Sequence, residues 1–315
     1  MSGLPAHRSC TDPDCSLAGS RVVLRREASY RREVQTASWR YEFRVCTRCQ
    51  MGFVHPVPPA EVMACLYTGE YAYYQAPGNH PTLEAGSIKF KLARLRYLPL
   101  QDPTAANRAR SILAILAEVL ARKTVTLTLG MPLAMPPSSR ILDYGYGTGS
   151  WLLAMHQLGY SRLTGYDIAA NAARGQELAL RGIQVIPAGG ISNLEPACFD
   201  CVRLEHVFEH LPDPLSALLQ IHRLLRPEGL LLMTFPTIYP WLPIEELPSS
   251  PFLDYLQLPI HLAHHSVQSA TRLVRAAGFQ LAVLRITRRE RFITLMARKV
   301  ERGDGPAAPR ATAAA

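Results

Sequence analysis

Apolar and polar positions alternate with a period of two around Trp39-Arg-Tyr-Glu-Phe-Arg-Val, the pattern of a half-buried strand, and this segment lies between two cysteine pairs, Cys10/Cys15 and Cys46/Cys49. From Pro59 to about Lys123 the period lengthens to that of a helix, over Ala60 to Tyr67, Ser87 to Leu95 and Thr104 to Arg122. In the last of these Ile112, Ile115, Leu116, Val119 and Leu120 share a face, so the segments are expected to be connecting helices that cover one end of the main domain. The stretch from Gly130 to Ser139 holds three prolines and leads into that domain. After Arg140 the rhythm becomes short apolar run, glycine turn, amphipathic segment. Strands are predicted over 141–143, 163–166, 183–186, 200–204 and 230–235, with helices over 152–158, 169–181 and 214–225. Ser266 is placed to cap a last helix that Gly278 stops, and a hairpin of 279–287 and 291–298 follows. Alternation of this kind predicts an α/β domain with a mostly parallel sheet covered by helices on both faces. The chain thus divides into a small cysteine-bearing unit (1–58) that reads as independent, a helical connector (59–137), the α/β domain (138–300) and a tail (301–315) whose Gly, Pro and Ala predict disorder.

Composition sharpens this picture in three places. No apolar run among the 315 residues approaches the roughly 20 needed to span a bilayer, and the first residues lack the apolar core of a secretion signal, so a cytoplasmic protein without a membrane partner is expected. Seven cysteines are an odd number, and with four of them in the first fifty residues metal ligation is favoured over a disulfide framework. The formal charge of +9 is carried mostly by arginine. Arg25, Arg26, Arg31, Arg32, Arg40, Arg44 and Arg48 raise the alternative of a module that grips RNA or another acidic partner, but they alternate with Glu27, Glu33 and Glu42, so a nucleic-acid partner is not expected.

The chemistry concentrates in Ile141-Leu-Asp-Tyr-Gly-Tyr-Gly-Thr-Gly-Ser-Trp: a strand ending in Asp143, then Gly145, Gly147 and Gly149, then a helix. Glycines there let the backbone approach a ligand, and the helix start offers free N–H groups, which together point to a nucleotide-like cofactor. The spacing departs from the Gly-x-Gly-x-x-Gly of dinucleotide folds, which weakens but does not remove a nucleotide-dependent oxidoreductase as an alternative. Asp167 ends the next predicted strand, where a carboxylate can accept both hydroxyls of an adenosine ribose, and Ile168 follows where an adenine would lie.

The sequence resembles the class I S-adenosylmethionine-dependent methyltransferases through Asp143-Tyr-Gly-Tyr-Gly-Thr-Gly, Asp167, and the stretch Phe199-Asp-Cys-Val-Arg-Leu-Glu-His-Val-Phe-Glu-His-Leu-Pro-Asp-Pro that continues to Pro227-Glu-Gly-Leu. The resemblance covers about residues 138–300 and implies a doubly wound, Rossmann-like, seven-stranded sheet. The cysteine pairs, followed by Pro56-Val-Pro-Pro-Ala-Glu-Val and Gly69-Glu-Tyr, resemble a subgroup with a zinc ribbon ahead of that domain. It further implies S-adenosylmethionine held at Asp143, Gly145, Gly147 and Gly149, with Asp167 at the ribose, Ile168, Gly190 and Ile191 around the adenine, and Glu205 and His206 facing the methyl group. The acceptor implied is a small molecule such as a sugar or natural product, methylated on oxygen, nitrogen or carbon. The sequence departs from the family at Tyr146, where a small residue is common and the cofactor channel is expected to narrow, and at Glu228, which replaces a glycine.

Cys10, Cys15, Cys46 and Cys49 supply four soft ligands at spacings that a structural zinc accepts, with His7 and His55 as substitutes, whereas Cys65, Cys198 and Cys201 read as small core residues. A hydroxyl acceptor needs a base, and His261 and His264, which lie between the fifth strand and the last helix, are expected to supply it ahead of His265. The run His206-x-x-Glu209-His210 matches an inverted zinc-protease pattern, but a predicted strand end and the Pro212-Asp-Pro turn take its histidines off a common helical face, so it is expected to shape the pocket floor. The aromatic insertion from Ile238 to Tyr255 is either a lid or packing.

Overall fold

The computed structural model describes residues 15, 19–32, 35–59, 61–63, 91, 95, 104–120, 135–169, 172–237, 256–287 and 292–301. The expectations that rest on Cys10, the tail, the 238–255 insertion and most of the connector lie outside them.

Two sheets organise the described chain. The larger contains β4 (Arg140–Tyr144), β5 (Arg162–Tyr166), β6 (Gln184–Ile186), β7 (Phe199–Glu205), β8 (Leu225–Pro236), β10 (Phe279–Thr287) and β11 (Phe292–Lys299), in the order β10-β11-β8-β7-β4-β5-β6. The pairs β4–β5, β5–β6, β4–β7 and β7–β8 are parallel, while β11 runs antiparallel to both β8 and β10. The seven-stranded, mostly parallel sheet expected from the sequence is present, with the predicted C-terminal hairpin at one edge. Because β4 has β5 on one side and β7 on the other, the chain reverses its winding there. The crevice beyond the carboxyl ends of β4, β5 and β7 is therefore where a ligand fits.

Successive residues of the central strands feed two separate cores, as the period of two requires. Ile141, Cys201 and Leu232 join Leu152, Met155 and Leu178 on one face, whereas Leu142, Val202 and Leu231 join Leu218, Ile221 and Leu273 on the other. The covering helices are α2 (Ser150–Gln157), α3 (Ala172–Leu180), α4 (Pro214–Leu224) and α5 (Val267–Ala276), preceded in the connector by α1 (Ala105–Leu120). Each of α4 and α5 starts at a side-chain cap. Asp213 accepts from the Ser216 amide at 3.1 Å, and Ser266 and Ser269 cap each other's amides at 3.0 Å. On α1, Ile112 is 58% exposed, so this part of its apolar face is left mostly open in the described chain.

The smaller sheet corrects one expectation. Strands β1 (Ser20–Arg32), β2 (Gln35–Cys46) and β3 (Gly52–His55) form an antiparallel meander, but the fourth strand, β9 (Ala263–His264), comes from the C-terminal part of the chain. Gly52 pairs with His264 and Phe53 with Ala263. The Val54 amide donates to the Leu262 carbonyl at 2.9 Å, and the Ser266 hydroxyl donates to the Cys49 carbonyl at 2.6 Å. The boundary at residue 58 therefore does not isolate an independent unit: the N-terminal sheet is completed by the segment that carries the histidines.

Candidate active site

The glycine turn after β4 is built as its sequence requires. Gly145, Gly147 and Gly149 have φ of 84°, 51° and 69°, a region that glycine enters without cost. At Gly145 a Cβ would stand 2.3 Å from Val207, so the residue is also fixed by a close approach. At Gly147 a Cβ would meet no described atom within 4 Å, and the turn is open on that side. Asp167, at the end of β5, accepts from the Gly147 amide and the Ala169 amide, each at 2.8 Å. The carboxylate is thus fastened at the mouth of the open turn with lone pairs to spare. Ile168 beside it is 73% exposed, an apolar side chain held out over the carboxyl edge. Ile191 behaves differently: it is buried in the main core, so Gly189 and Gly190 form the outer face of that loop. Tyr146 does not narrow the turn either, because its ring is buried in the second core against Gly165. The replacement at Glu228 is accommodated in the left-handed region, with φ of 63°, and its carboxylate pairs with Arg298 at 3.0 Å.

Asp143 is 1% exposed and does not face solvent alone. Arg203, on the neighbouring β7, donates to its Oδ1 at 2.7 Å, approaches Glu205 at 3.5 Å, and lies 4.4 Å from the centre of the Trp151 ring. Burial pushes the Asp143 carboxyl up to about 6 against the pull of the guanidinium. Its Oδ2 is buried with no hydrogen-bond partner among the described residues. Sequence reasoning passed over Arg203. The signal was there as a charge in the middle of a buried strand beside one that ends in an acid.

At the end of β7, Glu205 is partly exposed, and His206 adopts a left-handed φ of 54° that turns the chain out of the strand. Such strain in a non-glycine residue is tolerated where the surroundings fix it, here by the His206 amide on the Thr234 carbonyl at 2.9 Å. A three-residue turn of 3-10 helix, Phe208–His210, then buries Glu209 and His210. Glu209 Oε1 lies 3.4 Å from His206 Nδ1. Burial raises the Glu209 carboxyl, but the neighbouring imidazoles, His206 first, outweigh it and hold the group ionised.

His261 and His264 are close to this cluster but not as expected. His264, on strand β9 of the N-terminal sheet, is completely buried, edge-on to Phe43, with Nε2 on the Leu256 carbonyl at 3.0 Å. Burial pulls its imidazole down to about 4. A group so enclosed does not face an acceptor in this structure, and its place on β9 makes it a support for that strand rather than the expected base. His261 is 7% exposed, and its ring lies 4.8 Å from that of His210 and 5.4 Å from that of His264. Burial holds it, too, well below the usual imidazole range. The fold therefore brings His206, Glu209, His210 and His261 together from segments more than fifty residues apart in sequence.

In the N-terminal sheet Cys15, Cys46 and Cys49 are buried together, with 3.4 Å between the Cys15 and Cys46 sulfurs. Burial raises the Cys46 thiol, but the Cys49 and Arg48 amides and the adjoining sulfurs together bring it below its ordinary value. Cys201 is enclosed in the sheet, where burial pushes it up to about 12, as a core residue should be. On the hairpin surface Arg25 pairs with Glu42 at 2.9 Å and Arg40 with Glu27 at 3.3 Å, so part of the arginine stripe is paired with the acids between its members. No described helix is long and apolar enough to cross a membrane.

Among curated proteins, the chain is 29% identical over 145 residues to a demethylmenaquinone methyltransferase of Staphylococcus epidermidis, a match that covers 44% of this chain and 58% of that protein. It is 33% identical over 97 residues to a ubiquinone biosynthesis O-methyltransferase of Albidiferax ferrireducens, covering 29% of this chain and 38% of the relative. The chain thus spans little more than half the length of the first of these. Solved structures of S-adenosylmethionine-dependent methyltransferases from Mesorhizobium loti and Methanosarcina mazei are similar at 18% and 20% identity, each with a TM-score of 0.42. They cover 52% and 53% of this chain and 94% of their own. The family model described as a methyltransferase domain matches residues 107–283, more than half of the chain, and the protein belongs to that family.

Proposed function

We propose that this chain is an S-adenosylmethionine-dependent methyltransferase that methylates oxygen, nitrogen or carbon on a small-molecule acceptor such as a sugar, a natural product or another metabolite. The observation that carries the reading is the Asp167 carboxylate, fastened by two backbone amides at the open Gly147 turn with Ile168 exposed beside it. The residues fit the cofactor: open backbone for its amino-acid part, a fixed carboxylate for its ribose hydroxyls and an apolar side chain for its adenine. When bound, S-adenosylmethionine supplies an electrophilic methyl group on a positive sulfonium. The chain's part is positioning. Gly145 and Gly149 shape the turn, Asp143 and Arg203 keep the β4 and β7 ends in register, and Glu205 and His206, at the end of β7, would face the methyl group of the bound cofactor. The names of the curated relatives are consistent with a small-molecule acceptor.

We also assign a structural zinc to Cys15, Cys46 and Cys49, with Cys10 as the fourth ligand. Sulfurs on a tetrahedral zinc, with bonds of about 2.3 Å, sit about 3.8 Å apart, which the grouping of these three thiols within 4.8 Å allows. Metal analysis of the purified protein and of Cys46→Ser tests this. The cofactor reading is tested by calorimetric titration with S-adenosylhomocysteine. Micromolar binding that Asp167→Ala abolishes is expected. Binding of NADH in its place would return the chain to the oxidoreductase class.

A further inference from the structure

We propose that Glu209, His210 and His261 form a second metal site, one for a divalent transition-metal ion, at the carboxyl end of β7. One ligand atom from each residue lies within 4.8 Å of the others, close enough for a single ion to bond all three. Two imidazoles and a carboxylate suit zinc, iron or manganese rather than calcium or magnesium, and they differ from the all-sulfur set in the N-terminal sheet.

Three further observations point to a ligand. Glu209 is 0% exposed, and while His206 Nδ1 lies 3.4 Å from its Oε1, its Oε2 has no hydrogen-bond partner among the described residues. His261 Nδ1 is likewise buried without a hydrogen-bond partner there. Buried polar atoms left in this state cost free energy, and an ion at the centre of the cluster would satisfy both groups at once. His210 shows the outer-shell arrangement that metal-binding histidines use: its Nδ1 lies 3.0 Å from the Ile260 carbonyl, which sets the tautomer with the proton on Nδ1 and the lone pair on Nε2. The same carbonyl belongs to the segment that carries His261, and the Leu262 amide donates to the Glu209 carbonyl at 2.8 Å. The two halves of the site are thus locked together before any ion binds.

Three protein ligands leave at least one coordination position for water or for an oxygen of the acceptor. Use of that position in methyl transfer rests on the proposed function; binding of the ion does not.

The test uses full-length protein stripped with a chelator and titrated with Co2+, whose visible spectrum separates the two kinds of donor. Thiolates give intense sulfur-to-metal charge transfer, whereas nitrogen and oxygen ligands give only weak ligand-field bands. Wild type is expected to take up one equivalent that shows the weak bands alone, in addition to any held by sulfur. Loss of an outer-shell partner already costs 10–100-fold in affinity, so loss of a ligand in Glu209→Gln or His261→Ala should weaken this equivalent by on the order of 100-fold or more, with the sulfur band unchanged. Circular dichroism of the same samples reports on folding, and S-adenosylhomocysteine binding reports separately on the cofactor reading. If wild type shows no equivalent without sulfur bands, or the near-isosteric Glu209→Gln keeps it at full affinity while folded, the cluster is a buried His206–Glu209 ion pair and the metal site is overturned.

Discussion

The two ends of the carboxyl edge are made differently. On the β4–β5 side the site is almost entirely backbone: three left-handed glycines and the amides that hold Asp167. On the β7 side it is almost entirely side chain: Glu209 and three imidazoles packed where main-chain groups are already paired. Backbone recognition depends on local conformation and tolerates change around it. Side-chain recognition depends on segments far apart in sequence arriving together, and fails when any one of them moves.

Substitutions can be chosen to break this contrast, beginning with the residue that joins the two sides. Arg203→Met strips the buried Asp143 of its charge partner, and is expected to cost about 3–5 kcal/mol of stability in denaturant unfolding. Adding Asp143→Asn should return part of that loss, since the uncompensated charge goes with it. Ser266→Ala removes both the α5 cap and the link to Cys49. A loss of about 1–2 kcal/mol is expected, with hydrogen exchange quickening in β9 as well as in α5. Gly147→Ala should cost only about 1 kcal/mol for its left-handed φ, because no described atom crowds the new methyl group, yet it should weaken S-adenosylhomocysteine binding clearly in calorimetry. A Gly147→Ala protein with unchanged cofactor affinity would show that the open side of the turn is not where the ligand approaches.

The same contrast explains what could be read from sequence. The glycine turn, Asp167 and the order of the strands were legible because each is written in a few adjacent residues whose φ, period or spacing carries the meaning. Strand β8 begins five residues before its predicted start because α4 passes directly into it at Leu225. The Arg203–Asp143 pair spans 60 residues, and the Glu209–His261 grouping joins two loops. Neither has a local signature. His264 shows the cost of local reasoning: an imidazole in a loop near a sheet edge suggested a base, while its register opposite Gly52 made it a buried strand residue. Tyr146 was misread in the same way, since its direction is set by the space under Gly165 and not by the turn it belongs to.

The borrowed strand β9 has a consequence in time as well as in space. Ser266 meets Cys49 across 217 residues, so during synthesis the hairpin of β1 and β2 and its neighbour β3 exist long before their last partner is made. Through that interval β3 presents an unpaired edge that the mature chain never shows, a surface on which another strand could pair. Of the four strands of this sheet, β1 to β3 are therefore made well before the one that finishes them, and the step that seals the β3 edge is the one that sets His261 in place.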